Sequence, residues 1–133
     1  MADSESQFQE LLAHFAARVN KALAAREQMM LRLLLRADAS VEVAVGVANT
    51  AGERAEVLHA MRSSARMQVL DESIEAVCIA YPDPDRQAYV ALLEHRENYC
   101  AKVIVPVVMT PAPALDLEGI EIEDGDIHVF PYV

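Results

Sequence analysis

The stretch MMLRLLLRADASVEVAVGV, residues 29–47, decides the fold. Its second half sets Val41, Val43, Val45 and Val47 against Glu42, Ala44, Gly46 and Ala48, the two-residue period of a strand. The first half reads two ways, since Leu31, Leu33 and Leu35 alternate as in a strand while Leu, Met and Arg are also good helix formers. Asp38 and Ser40 between the halves supply turn chemistry, which favours two strands joined as a hairpin. The second face of the valine strand carries only small residues apart from Glu42, so a bulky element, a helix, is expected to press closely against it.

Upstream, Phe8, Leu11, Leu12, Phe15, Val19, Ala22 and Leu23 recur at three- and four-residue steps, predicting an amphipathic helix from about Glu5 to Glu27. Ser4 and Gln7 have the spacing of a capping box, and Arg18, Lys21 and Arg26 fall late, where the helix dipole favours cations. Downstream, Thr50 and Glu53 form a second such box, opening a helix over 51–68 with Val57, Leu58, Met61 and Ala65 inward. Three β-rich runs follow, 74–81, 86–95 and 99–109, separated by Pro82–Asp85 and by Glu97 with Asn98, an antiparallel meander. Ile120–Glu123 and Asp126–Val129 flank Asp124-Gly125, the dipeptide that suits a two-residue hairpin turn.

The expectation is one α+β domain over residues 1–133: a largely antiparallel sheet with two helices on one face, in the order α-β-β-α-β-β-β followed by a C-terminal β-hairpin. The order resembles that of the profilin-like and roadblock arrangements. It is a likeness of element order and not a residue motif, and no function is carried over with it.

Charge is unevenly placed. The formal net charge of −10 falls entirely on residues 67–133, where thirteen acids meet Arg86, Arg96 and Lys102; residues 1–66 carry eight acids and eight bases. Nucleic acid and anionic membrane need cations on the protein, so both are poor partners for this chain. The apolar run Ala101–Met109 is interrupted by Lys102 and Pro106 and is far shorter than the roughly 20 residues of a membrane span. Asp3 and Glu5 replace the positive start of a secretory signal, and Cys78 and Cys100 lack a CxxC spacing. Together these predict a cytoplasmic protein with reduced thiols.

Catalysis needs converging groups, and no diagnostic spacing for nucleophile, phosphate loop or metal cage is present, so no catalytic, cofactor or metal residue is assigned. His14, His59, His95 and His128 sit on different elements; a zinc site from His59, His95 and Cys78 can be drawn, but nothing in their spacing supports it. The chemistry-bearing feature is instead acidic: Asp116, Glu118, Glu121, Glu123, Asp124 and Asp126, six carboxylates without a base among them. A solvated face is the plain reading of such a run, and a contact surface for a basic protein partner is the sharper one.

Two functions follow. The first is a noncatalytic protein-interaction module, of the kind of a small chaperone, adaptor, inhibitor or immunity-type protein, that binds through an acidic or apolar surface. The second is a small enzyme or small-molecule-binding domain with a pocket between sheet and helices, which a cavity lined by Tyr89, Tyr99, His95 or Cys78 would favour. A short, strand-rich chain that is 53% apolar also predicts a homodimer, which would cover the sheet edge left by the terminal hairpin.

Overall fold

The computed structural model describes residues 3–130. Helix α1 (Ser4–Ala24) buries Leu11, Phe15, Val19 and Ala22 along one stripe, with Leu12 half-buried beside them. Its N-cap is Asp3, whose carboxylate accepts the Ser6 N–H at 2.7 Å, one residue earlier than the Ser4–Gln7 box implies. Gln7 is thereby released from capping and turns into the core. Helix α2 (Ala51–Gln68) starts as the sequence predicts: Thr50 Oγ1 accepts the Glu53 N–H, and the Glu53 carboxylate accepts the Asn49 N–H.

The strands are β1 (Met29–Arg36), β2 (Val41–Val47), β3 (Ile74–Asp83), β4 (Ala88–His95), β5 (Cys100–Val108), β6 (Ala114–Leu115) and β7 (Glu121–Asp124). They form one antiparallel sheet in the order β2-β1-β3-β4-β5, with β6 and β7 sharing the outer edge of β5. The β1–β2 hairpin has the register Met29↔Val47 through Leu35↔Val41. The class is therefore α+β, with two helices on a seven-stranded antiparallel sheet.

The helices do not share a face, contrary to the expectation from sequence. Leu31, Leu33 and Leu35 pack with α1, together with Cys78, Tyr89 and Leu93, whereas Met30 and Leu34 pack with Met61, Ala65 and Val69 on the α2 side. The reason is written in β1 itself: Met29 to Leu35 are all buried, so the strand is apolar on both sides and needs a layer on each. Each fully buried Leu of this kind contributes about 1.5–3 kcal/mol. The expected close approach at β2 is present, since a Cβ on Gly46 would lie 2.9 Å from Val57 and 3.2 Å from Met61. The helix that exploits it is α2.

The C-terminal β-hairpin does not form either. Glu121–Asp124 joins β5 in the register Ile104↔Glu121 to Ala101↔Asp124, and Asp126–Val129 is not a strand. A type I′ turn needs positive φ at both central residues, and no described glycine has it. Gly125 is required for a different reason, because a Cβ there would meet the Ala101 backbone at 3.0 Å. The open edge of β5 has captured the segment that the Asp-Gly dipeptide would have folded back on itself.

Candidate functional site

Of the six carboxylates singled out above, Asp116 is half-buried and serves its own loop, accepting the Glu118 and Gly119 N–H groups at 3.2 Å. Glu118, Glu121, Glu123, Asp124 and Asp126 are exposed. β7 pairs only with β5 among the described strands, so its outer edge is open, and the pleat splits its side chains by alternation. Glu121 and Glu123 share the α2 side of the sheet with Ile104 and Lys102, while Ile122 and Asp124 share the α1 side with Val103 and Ala101. Glu123 is drawn to Arg86 at 3.6 Å and Lys102 at 3.9 Å; among the described residues no cation lies within ion-pair distance of Glu118, Glu121, Asp124 or Asp126. In the middle of these charges Ile122 is 74% exposed.

Beyond β7 the chain is clamped by residues that the sequence reading passed over. Glu94, buried on β4, accepts the backbone N–H groups of His128, Val129 and Phe130 on one carboxylate oxygen at 2.9, 2.8 and 3.4 Å. The Arg66 guanidinium donates to the His128 carbonyl, and Arg96 lies over the Phe130 ring at 5.1 Å. Arg96 also donates to the carbonyls of Val69, Ile74 and Asp71, tying the end of α2 to β3. A second missed group is Arg32, buried beneath α2, which donates to Ser64 Oγ and to Glu42 at 3.1 Å while its Nε finds no partner. A cation in the otherwise apolar run MMLRLLL, residues 29–35, is a local signal that could have marked it.

The groups that could carry chemistry do not converge. Cys78 is fully buried and its thiol is pushed up to about 12, so it is no thiolate at neutral pH. Cys100 is shifted upward as well, first by burial and then by Glu94, Asp126 and Asp124. Tyr89 spends its hydroxyl on the Met29 backbone, donating to the carbonyl at 3.0 Å and accepting the N–H at 3.3 Å; burial raises its pKa. His95 Nδ1 accepts the Glu97 N–H at 3.1 Å, which leaves Nε2 to donate to Gln7 Oε1. Burial holds its pKa below the ordinary histidine value. His59 is exposed on α2, across the sheet from His95 and Cys78, so the zinc set that can be drawn from the sequence is not brought together. Among the described residues no cluster of three His, Cys, Asp or Glu side chains could hold a metal ion.

Among the described residues a cavity large enough for a small molecule is present. It has a volume of about 420 Å³ and opens where α1 ends against the β3–β4 turn, with Leu23, Tyr89, Val107 and Met109 as apolar walls and Arg26, Glu27 and Asp83 among its polar residues. Arg26 and Gln87, both lining it, hold left-handed backbone at φ 57° and 49°. Of Tyr89, Tyr99, His95 and Cys78, only Tyr89 reaches this cavity. No helix among the described residues is long and apolar enough to cross a membrane. Compared with known proteins, the chain matches no family model, no curated protein and no solved structure.

Proposed function

We propose that the chain is a noncatalytic, cytoplasmic protein-interaction module that receives a basic partner protein on the acidic outer edge formed by Glu118, β7 and Asp126, and that also associates with itself. The observation that carries this reading is Ile122, an exposed apolar side chain set on an open edge strand between Glu121 and Glu123. An exposed apolar side chain on the same face as Asp124, on a strand whose other face carries Glu121 and Glu123, fits a docking edge where the charges steer encounter and the apolar group holds the complex. Lys102 and Arg86 offset only Glu123, so the field of the remaining acids is open to solvent.

The test begins with an affinity pull-down from the native host at low and moderate salt, followed by association kinetics with the protein partner recovered. Changing Glu121, Asp124 and Asp126 to Gln or Asn should slow the on-rate and flatten its salt dependence, because rim charges act mainly before contact. Ile122→Ala should leave the on-rate alone and raise the off-rate. An on-rate at low salt identical to that of the parent chain would reduce these carboxylates to solvated charge.

The 420 Å³ cavity supports a second reading, a binding site for a small apolar ligand, since its size and walls are those of such sites. Native mass spectrometry of protein purified from its host would reveal a co-purifying molecule, and Leu23→Arg should abolish its retention.

A further inference from the structure

Among the described residues the sheet has two open edges of opposite character. Glu121, Glu123 and Asp124 guard β7, as charged residues do on strands that must not pair with copies of themselves. β2 is guarded far less: it is seven residues long, carries no Lys or Pro, and follows β1 in unbroken register. Its one charge, Glu42, is turned inward to Arg32 at 3.1 Å and Arg36 at 3.5 Å. On the α1 side Val45 and Val47 stand 55% and 63% exposed.

We infer that the outer edge of β2 pairs antiparallel with β2 of a second copy of this chain, about a two-fold axis at Ala44, joining the two sheets into one. The inference rests on the self-association proposed above and names the surface that performs it.

Three observations select a second copy as the occupant. First, the backbone groups point the right way. The Arg36 N–H donates to the Ser40 carbonyl directly opposite, which makes that pair a hydrogen-bonded one. Alternation along the ladder then turns the backbone of Glu42, Ala44 and Gly46 toward β1, and leaves the N–H and C=O of Val41, Val43, Val45 and Val47 on the open edge.

Second, the segment VEVAVGV is complementary to itself. With the axis at Ala44, Val43 faces Val45 of the other copy and Val41 faces Val47, so all four outward valines make hydrogen-bonded pairs. The two exposed valines of each copy come to lie against Val41 and Val43, which pack on the core. Branched pairs of this kind stabilise antiparallel ladders.

Third, charge permits it here and opposes it elsewhere. Residues 1–66 are neutral in sum, whereas the half that includes β7 carries the whole −10. Two copies therefore meet with the least repulsion at β2.

Sedimentation and light scattering across micromolar concentrations should give twice the 14.6 kDa chain mass for the parent protein and for Ile122→Lys, and the single-chain mass for Val45→Lys. Circular dichroism should show Val45→Lys to be folded like the parent chain. In a Cys100→Ser background, Ala44→Cys supplies a positive readout. The residue at the axis forms a non-hydrogen-bonded pair with Cα atoms about 4.5 Å apart, within the range that a disulfide spans. It should cross-link under mild oxidation much faster than Ile122→Cys.

A parent chain that is monomeric at high micromolar concentration overturns both self-association and this surface. A dimeric parent with a dimeric Val45→Lys overturns the surface and leaves self-association standing. A monomeric Val45→Lys with no Ala44→Cys cross-link overturns the register centred on Ala44. Binding of a basic partner at β7 is read separately and survives each of these results.

Discussion

His95 on β4 and Gln7 on α1 meet inside the core, imidazole Nε2 to amide Oε1, eighty-eight residues apart in the chain. The contact lies where α1 crosses the end of β4, with Phe8 edge-on to the imidazole at 6.1 Å. Arg96 and Glu97 follow His95 in the chain, and Glu75 acts on it from β3. Burial outweighs the two carboxylates and keeps the ring neutral.

The folded state thus binds a proton on His95 less readily than the unfolded chain, whose histidines titrate near pH 6.5. The stability that neutral His95 contributes is complete above that pH and is lost as pH falls through it, because the unfolded state then takes up more protons. Urea midpoints at pH 7.5 and pH 5.5 should therefore differ more for the parent chain than for His95→Gln, which can still donate to Gln7. Equal differences would show that His95 does not contribute to the acid sensitivity.

Glu94 is predicted to be the anchor of the C-terminal segment. Glu94→Ala strands three N–H groups around a buried site and should cost about 3 kcal/mol, whereas Glu94→Gln keeps an acceptor and should cost about 1–2 kcal/mol. Amide exchange at Val129 should rise sharply in the alanine variant while the amides of β3 stay protected relative to global unfolding. Unchanged protection at Val129 would mean that Arg66 and Arg96 suffice to hold the segment.

The elements legible in the sequence are those set by neighbours in the chain. The valine period marks β2, the Thr50–Glu53 box marks the start of α2, and the turn residues between strands place β3, β4 and β5 within a few residues of their bounds. What could not be read is set by partners far away. Leu31, Leu33 and Leu35 announce one apolar face of β1, and nothing local says that Met30 and Leu34 require a second helix on the other. Ser4 and Gln7 have capping-box spacing, but Asp3 caps better placed and Gln7 answers to His95. Asp124-Gly125 has the composition of a hairpin turn, and the competing edge of β5 decides otherwise. The acids were visible as a run; that they would share an edge strand with an exposed Ile122 follows only from the pairing with β5.

Phe15 is 1% exposed and meets Tyr89 edge-on, with ring centroids 6.2 Å apart. Phe15→Ala should cost about 3–5 kcal/mol, a large part of an ordinary domain's stability. Chemical denaturation would record this as a shift in midpoint. A loss under about 1 kcal/mol would mean that the core closes over the vacated space.

The order β2-β1-β3-β4-β5 also distributes the work of assembly. The most distant strand pairing in the chain is the seam between β1 and β3, where Arg36 lies opposite Ile74 and Leu31 opposite Ala80; β5 and β7, the other pair that skips a strand, join residues only 17 to 23 apart. The two hairpin blocks on either side, residues 29–47 and 74–108, can each zip from a short turn. Loop-closure entropy is therefore concentrated at that single seam, which must also trap α2 on one side and α1 on the other. By loop-closure entropy, the joining of the two local units is the step expected to limit the rate of folding.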